Sequence, residues 1–568
     1  MSLTGAAARI VTRRRAPWLA ALVALLACLP ALFTLPPTDR DESRFAEASA
    51  QMLTSGDFTN ILFQDLPRYK KPVGIYWLQA ASAAAFERGD HRQIWAYRLP
   101  SVLGAMLAAA ACGWGALAFL EPLGAFAAGG LLAATMVLST ESTLATTDAA
   151  LCAAITLAMA AMGRIYLAAR NGPPAPRFAW LWFWLGVAGS ALLKGIGPLV
   201  PALAVAALWA WDRRAGWLRD LKPIWGAIVF AAVVLPWALA ITVTTDGGFW
   251  GVAVGGDLAP KLFGGQEGHG APPGYFLALS PILLFPATLL LPAGLALGWQ
   301  ARAEPAIRFA LCWLVPSWLM FEIVPTKLPH YTLPCFGALA WLMAAALARP
   351  IEPRWRWTGA WLVCGVAAAL ILAASLSATR FGAGAASGWA IVVAALLAIT
   401  ATCAIFFMGR RRPALAAALV CGFGLAGHAA LAGGLAPSLT NVWLSQRLAK
   451  AVQSDPDDLA DGPVAVAGYA EPSLVFALGA PTVLGDASDA ADAIDDGRLA
   501  IVEQHQDAAF RRALAAAGDV AKVAAVVSGL DYSTGHAQVL RLYEPVEAPE
   551  PKTPEPKTQE PKTQEPTP

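Results

Sequence analysis

Thirteen apolar runs, each close to the ~20 residues a helix needs to cross a bilayer, leave this 568-residue chain little choice of fold. The first covers residues 17 to about 35, and the others centre near residues 108, 132, 157, 186, 203, 234, 286, 315, 340, 367, 398 and 424. With 57% hydrophobic and 14% charged residues the sequence reads as an α-helical polytopic membrane protein. Arg13, Arg14 and Arg15 ahead of the first run also suit a signal peptide. The run is long enough to span, however, and Pro36-Pro37-Thr38-Asp39-Arg40 is no small-residue cleavage site, so a retained first helix starting in the cytoplasm is expected. Residues 178–211 read as one long helix or as two broken at Lys194-Gly195.

Cytoplasmic loops carry the Lys/Arg excess of a membrane protein. Thirteen spans give the inner loops Arg164, Arg170, Arg177, Arg213, Arg214, Arg219, Lys222, Arg302, Arg308, Arg349, Arg354, Arg356, Arg410, Arg411 and Arg412. Most outer loops hold one cation. The first, about residues 36–98, is the exception, with Arg40, Arg44, Arg68, Lys70, Lys71, Arg88, Arg92 and Arg98. An anionic ligand on the outer face is the simplest reason to keep them there. The net charge of +2, and the lack of a basic tract interleaved with aromatics, argue against nucleic acid. Eight cysteines sit in or beside apolar runs with no CxxC pair, so they read as small buried hydrophobes.

Within the first outer loop, residues 42–54 have helical spacing and stop at Ser55-Gly56-Asp57, which predicts a helix along the membrane surface. A second helix is expected from Lys71-Pro72 onward, with Tyr76 and Trp77 at the interface. The carboxylates Asp41 and Glu42 and the cations Arg44 and Lys71 crowd the edge of the membrane, where polar chemistry would be placed. Further polar groups fall on the same face: Asp148, Lys194, Lys327, His330, and Asp257, Lys261, Gln266, Glu267 and His269 in a long loop. Each has a plainer reading. Asp41 and Glu42 suit the first turn of any helix, Asp148 and Lys194 suit a structural pair, Lys327 suits a headgroup anchor, and both histidines suit packing.

Residues 1–440 thus form the expected membrane domain, 441–546 a small C-terminal α/β module on the outer side, and 547–568 a disordered Pro/Glu/Lys tail. Strands are expected over 463–469, 499–503, 522–528 and 538–543, and helices over 472–478 and 507–517.

The ordered set Asp41-Glu42-Ser43-Arg44-Phe45-Ala46-Glu47, Lys71-Pro72-x-x-x-Tyr76-Trp77, Thr147-Asp148-Ala149, Lys194-Gly195 and Lys327-Leu328-Pro329-His330-Tyr331 resembles the bacterial aminoarabinose transferase family. That family is related to the protein O-mannosyltransferases, membrane glycosyltransferases of the C type (GT-C). The resemblance spans nearly all the membrane portion. It implies transfer of a sugar from a polyprenyl-phosphate donor to a periplasmic acceptor, a lipid A phosphate in the named family, by a bacterial inner-membrane protein. It further implies Asp41 and Glu42 as the catalytic carboxylates, and Arg44, Lys71, Lys261 and Tyr331 around the donor phosphate. Tyr69, Asp148, Lys194, Lys327 and His330 would line the sugar and acceptor cavity. The implied partners are the lipid-linked sugar, lipid A or another envelope acceptor, and membrane lipid.

Three departures stand out. Lys70 replaces a glutamate that helps the family bind a divalent metal, which weighs against a metal held here by Asp41 and His269 and leaves no certain cofactor. Lys261 stands where the family usually has arginine, and Phe45 where it has tyrosine. The alternatives are transfer to protein hydroxyls or another envelope glycan, and, from another class, a transporter or lipid flippase. A transporter commonly shows internal repeats and mid-membrane charges. This chain shows no clear repeat, and its ionisable residues gather at one face.

Overall fold

The computed structural model describes residues 9–87, 89, 91–264, 270–454 and 462–546. Arg88, Gln266, Glu267 and His269, like the tail at 547–568, lie outside the described residues.

Every expected apolar run is helical. Among the described residues nine helices are long and apolar enough to span alone: Ala16–Thr34, Ile94–Ala116, Asp148–Ala168, Pro223–Thr244, Pro305–Ile323, Pro329–Leu347, Pro353–Phe381, Ala386–Gly409 and Pro413–Ser438. The pair Tyr275–Leu283 and Ala287–Gln300 is bent by 112°, and Pro122–Ala133, Ala179–Leu193 and Leu199–Asp212 are shorter apolar helices. Residues 178–211 therefore form two helices, with Lys194 ending the first in an extended conformation. Several helices open on proline at a first-turn position, where its missing N–H has no intrahelical partner to lose. Small residues let the helices close up. A Cβ on Gly104 would lie 2.8 Å from Ala150 Cα, so glycine there allows Ile94–Ala116 to press against the start of the helix that carries Asp148. All eight thiols are free, five of them buried.

The first outer loop differs from expectation in depth. Helix Asp41–Ser55, ended by Gly56 at φ 73°, buries Glu42, Ser43, Phe45, Ala46, Glu47, Ala48, Ser49, Ala50 and Met52. It is wedged into the protein, because its small residues and its two inner glutamates find partners there. Helix Gly74–Phe86 likewise buries Tyr76 completely, while Trp77 keeps 38% of its surface exposed.

Contacts divide the chain into two compact units, one of residues Met1–Ala449, Glu471–Pro481 and Ser528–Ala537, the other of Lys450–Ala470, Thr482–Val527 and Gln538–Pro568. The C-terminal sheet has the spatial order Val483–Gly485, Ala465–Ala467, Ala500–Glu503, His536–Pro545, Ala521–Asp531. Its first three strands pair in parallel, and Ala500–Glu503 pairs antiparallel with His536–Pro545. Helices Pro472–Leu478 and Asp507–Ala517 match the expected ones. Strand Val483–Gly485 and helix Ala487–Asp495 were not anticipated: the strand has three residues, and the Ala/Asp-rich helix owes its start to a capping box between Asp486 and Asp489.

Candidate active site

Asp41 and Glu42 open one helix and have opposite environments. Glu42 is 1% exposed and accepts five hydrogen bonds. Arg98 grips it with Nε at 2.7 Å and Nη2 at 3.0 Å, Ala145 N–H reaches it at 2.8 Å, and Thr38 donates from both N–H and hydroxyl at 2.8 Å. Arg98, fully buried, also donates to the carbonyls of Leu35 (2.6 Å) and Pro36 (3.0 Å). A carboxylate this occupied has no lone pair left for substrate, so Glu42 is a structural hub that joins three segments. Its neighbour faces the other way. The Asp41 side chain is 64% exposed, with Arg68 Nη2 3.6 Å from Oδ1. Crowding by protein would raise its pKa, but Arg68, Lys71, Arg44 and His330 together hold it below the usual carboxylate value. The exposure means that solvent screens each of these attractions.

A second carboxylate organises the cations. Asp257, buried on a helical turn over Gly251–Leu258, takes Lys261 Nζ at 2.6 Å and Lys71 Nζ at 3.6 Å. Burial, then repulsion from Lys194 and Lys261, brings Lys71 down to about 8, against the pull of Asp257 and Asp41. Two lysines on one acid make a site with a positive surplus at its centre.

Deeper in, Lys194 Nζ lies 3.2 Å from Asp148 Oδ1 and 4.5 Å from the centre of the Tyr331 ring. His330 sits between two acids, with Nδ1 3.2 Å from Glu141 Oε1 and Nε2 3.6 Å from Asp148 Oδ2. Thr146 donates to Glu141 at 3.0 Å and Thr147 to Asp148 at 3.1 Å. The ligating atoms of Glu141, Asp148 and His330 fall within 4.8 Å of one another, as a divalent ion would need. They are engaged already, however. The two ring nitrogens face different carboxylates, and Lys194 already neutralises Asp148 through Oδ1, so the set is not preformed for metal.

The structure thus gathers Asp41, Lys71, Lys261, Asp148, Lys194, His330 and Tyr331 into one linked set of charges and rings, with Arg44 adding its charge beside Asp41. It removes others. Lys327 is 3% exposed, and its ammonium donates to the carbonyls of Phe321 (3.3 Å), Glu322 (2.8 Å) and Val324 (2.6 Å), where it closes the C-terminus of helix Pro305–Ile323. Tyr69 is held by packing, its hydroxyl on Asn60 Oδ1 at 2.8 Å and its ring against Phe249. His269 lies outside the described residues, and Asp41 is not part of the one group of three metal-type ligands found among them.

Sequence reasoning gave Arg68 and Glu141 no place in the site, and Asp257 only a place among the polar groups of the outer face. Arg68 belonged to the cation-rich loop, and its place over the Phe45 ring, 4.8 Å from the centroid, makes it the partner of Asp41. Glu141 had its own signal, a lone acid ending an apolar stretch.

The geometry can be set beside known proteins. Residues 18–249 match the model of the dolichyl-phosphate-mannose-protein mannosyltransferase family. An undecaprenyl phosphate-alpha-4-amino-4-deoxy-L-arabinose arabinosyl transferase of Aeromonas salmonicida is 32% identical over 327 residues, 56% of this chain and 58% of the relative. The Pseudomonas paraeruginosa protein of the same name is 28% identical over 355 residues, 60% of this chain and 61% of the relative. The chain thus spans less than two thirds of the length of these curated relatives. The crystal structure of ArnT from Cupriavidus metallidurans bound to undecaprenyl phosphate superposes with a TM-score of 0.75 at 20% identity, over 92% of this chain and 97% of that one. The apo form gives 0.73 over the same shares. In sequence the chain resembles the aminoarabinose transferases and, over residues 18–249, the protein mannosyltransferases, and it has the C-type glycosyltransferase fold of the Cupriavidus structures.

Proposed function

We propose that this protein is an inner-membrane glycosyltransferase that moves a sugar from a polyprenyl-phosphate donor to lipid A phosphate at the periplasmic face. The observation that carries the reading is the pair Lys71 and Lys261 converging on buried Asp257, with Asp41 facing open space beside them. The names of the Aeromonas and Pseudomonas relatives, and the undecaprenyl phosphate in the Cupriavidus structure, support the donor class.

The chemistry follows from the charges. As the bond from the anomeric carbon to the phosphate oxygen breaks, the departing polyprenyl phosphate gains negative charge, which Lys71 and Lys261 are placed to stabilise without a general acid. An acceptor phosphate is ionised already and attacks the anomeric carbon as it stands. Asp41 then serves to orient the acceptor and to steady oxocarbenium-like charge on the sugar ring. Transfer to a protein hydroxyl is the second reading, favoured by the match to the mannosyltransferase family over 18–249 and by Asp41 as an ionised, exposed base that a hydroxyl would need.

Mass spectrometry of lipid A and of total envelope glycans tests this, on cells with the intact gene, a deletion and Asp41→Asn. A sugar-sized mass on lipid A that disappears in both altered strains supports the proposal. Loss confined to glycoprotein or another glycan moves the acceptor, and no change in any glycan with the protein present favours transport.

A further inference from the structure

The turn that leads into Asp41 is held by two segments far away in sequence. Helix Pro472–Leu478 and residues Ser528–Ala537 both fall within the compact unit that contains the apolar helices. The backbone N–H of Asp39 donates to Tyr532 Oη at 2.6 Å, and Ser473 Oγ donates to the Asp39 carboxylate. Arg40 Nη2 donates to Ser533 O at 3.2 Å and lies 3.9 Å from Glu471 Oε1. Arg92 Nη1 adds a bond to Phe476 O at 3.1 Å, and Gln64 Nε2 one to Ala480 O at 3.0 Å.

These contacts fall on a strained piece of backbone. Arg40, the residue before the helix, has φ 65° and ψ −109°, a region that side chains other than glycine rarely adopt, and it makes no side-chain cap. Such a conformation persists only where the surroundings over-determine it. Here Glu42 pins one side through Thr38, and Tyr532, Ser473 and Ser533 pin the other. Together they decide that Glu42 points inward and Asp41 outward.

We propose that the Ser528–Ala537 tip and helix Pro472–Leu478 form a latch that positions Asp41, with Tyr532 and Ser473 as positioning residues for the transfer step. The proposal rests on the role given to Asp41 above, and it assigns a task to the C-terminal region that the transfer chemistry itself does not require.

Tyr532→Phe is the sharpest probe, because it removes one hydroxyl and keeps the ring against Trp443, 5.9 Å away between centroids. Hydrogen exchange of the full-length protein in detergent reads the latch over 36–44, and transfer kinetics read its effect. Exchange in that peptide should quicken on the order of fivefold, as for the loss of one neutral hydrogen bond, with protection in Ala16–Thr34 unchanged. The turnover number should fall by a similar factor at an unchanged KM for the donor, whose phosphate the proposed function assigns to Lys71 and Lys261. Ser473→Ala should act alike, and Ser473→Thr, which keeps the hydroxyl, should restore the parent values. Unchanged exchange overturns the latch, and quicker exchange with unchanged turnover overturns the positioning role. A parent protein that transfers no sugar overturns the proposed function, and the exchange result then decides the latch alone.

Discussion

Exchanging Arg98 for methionine should destabilise the protein through Glu42 without removing any reacting group. Arg98 is fully buried and Glu42 is 1% exposed, so neither can turn to water when its partner goes. The substitution removes the two-pronged contact at 2.7 and 3.0 Å and the donors to the Leu35 and Pro36 carbonyls. Stranding one charge of a buried pair costs about 3–5 kcal/mol, and the carbonyls add to it, since each lost bond counts for about 1 kcal/mol. Together these losses come to about 5 kcal/mol or more. Asp41→Asn makes the contrast, because its side chain is 64% exposed and Arg68 stands 3.6 Å away. Removing that charge should shift stability by no more than about 1 kcal/mol, yet abolish most transfer. Adding Glu42→Gln to Arg98→Met should recover part of the loss, as replacing both members of a buried pair is often near neutral. Thermal unfolding in detergent, followed by size-exclusion chromatography, ranks the variants. The reasoning fails if Arg98→Met melts with the parent protein, or if Asp41→Asn melts as early as Arg98→Met.

Three further outcomes follow from the same structure. Burial and neighbouring lysines bring Lys71 down to about 8, so it gives up its proton as the pH passes that value. The unfolded chain holds more protons between about 8 and 10.5, so this group's share of stability rises with pH over that window. Donor binding runs the other way: polyprenyl phosphate should bind less tightly above pH 8 and take up protons as it binds, and calorimetry in two buffers of different ionisation enthalpy that finds no uptake would contradict this. Asp39 is pushed up to about 7 by burial and by Glu471 and Asp531, although Ser473 pulls it down. Its folded form therefore keeps a proton that the unfolded form loses, and its contribution is full below about 4 and lost as the pH rises to 7. With Arg40 the cation beside it, exchange over 36–44, corrected for intrinsic rates, should quicken across that range in the parent and not in Asp39→Asn. Finally, chelation by EDTA should leave transfer unchanged; loss of activity that manganese restores, more weakly in His330→Gln, would show that Glu141, Asp148 and His330 hold an ion after all.

The span pattern was legible because it rests on runs of ~20 residues, which local composition reports directly. The cation-rich first loop was legible for a similar reason, as an exception to the charge bias of its own chain. What the sequence hid is direction. Asp41 and Glu42 adjoin and look alike as text, and only the fold shows Glu42 turned onto Arg98 while Asp41 meets Arg68. Lys327 stands in a stretch that resembles the family's functional residues, yet three nearby carbonyls claim it. Asp257 was visible as one charge in a glycine-rich loop, and its role appears only once Lys71, far away in sequence, meets it. Short elements were lost as well, since three residues of strand and an Asp/Ala-rich helix give periodicity too little to work on.

Single-turnover transfer by the purified protein in proteoliposomes tests the central claim most directly, with an undecaprenyl-phosphate-linked sugar as donor and lipid A as acceptor. Parent protein should release undecaprenyl phosphate and add one sugar mass to lipid A, with Asp41→Asn slow in transfer and Lys71→Ala weak in donor binding. Intact donor after prolonged incubation with folded parent protein, or equal rates for the parent and Asp41→Asn, would contradict the account.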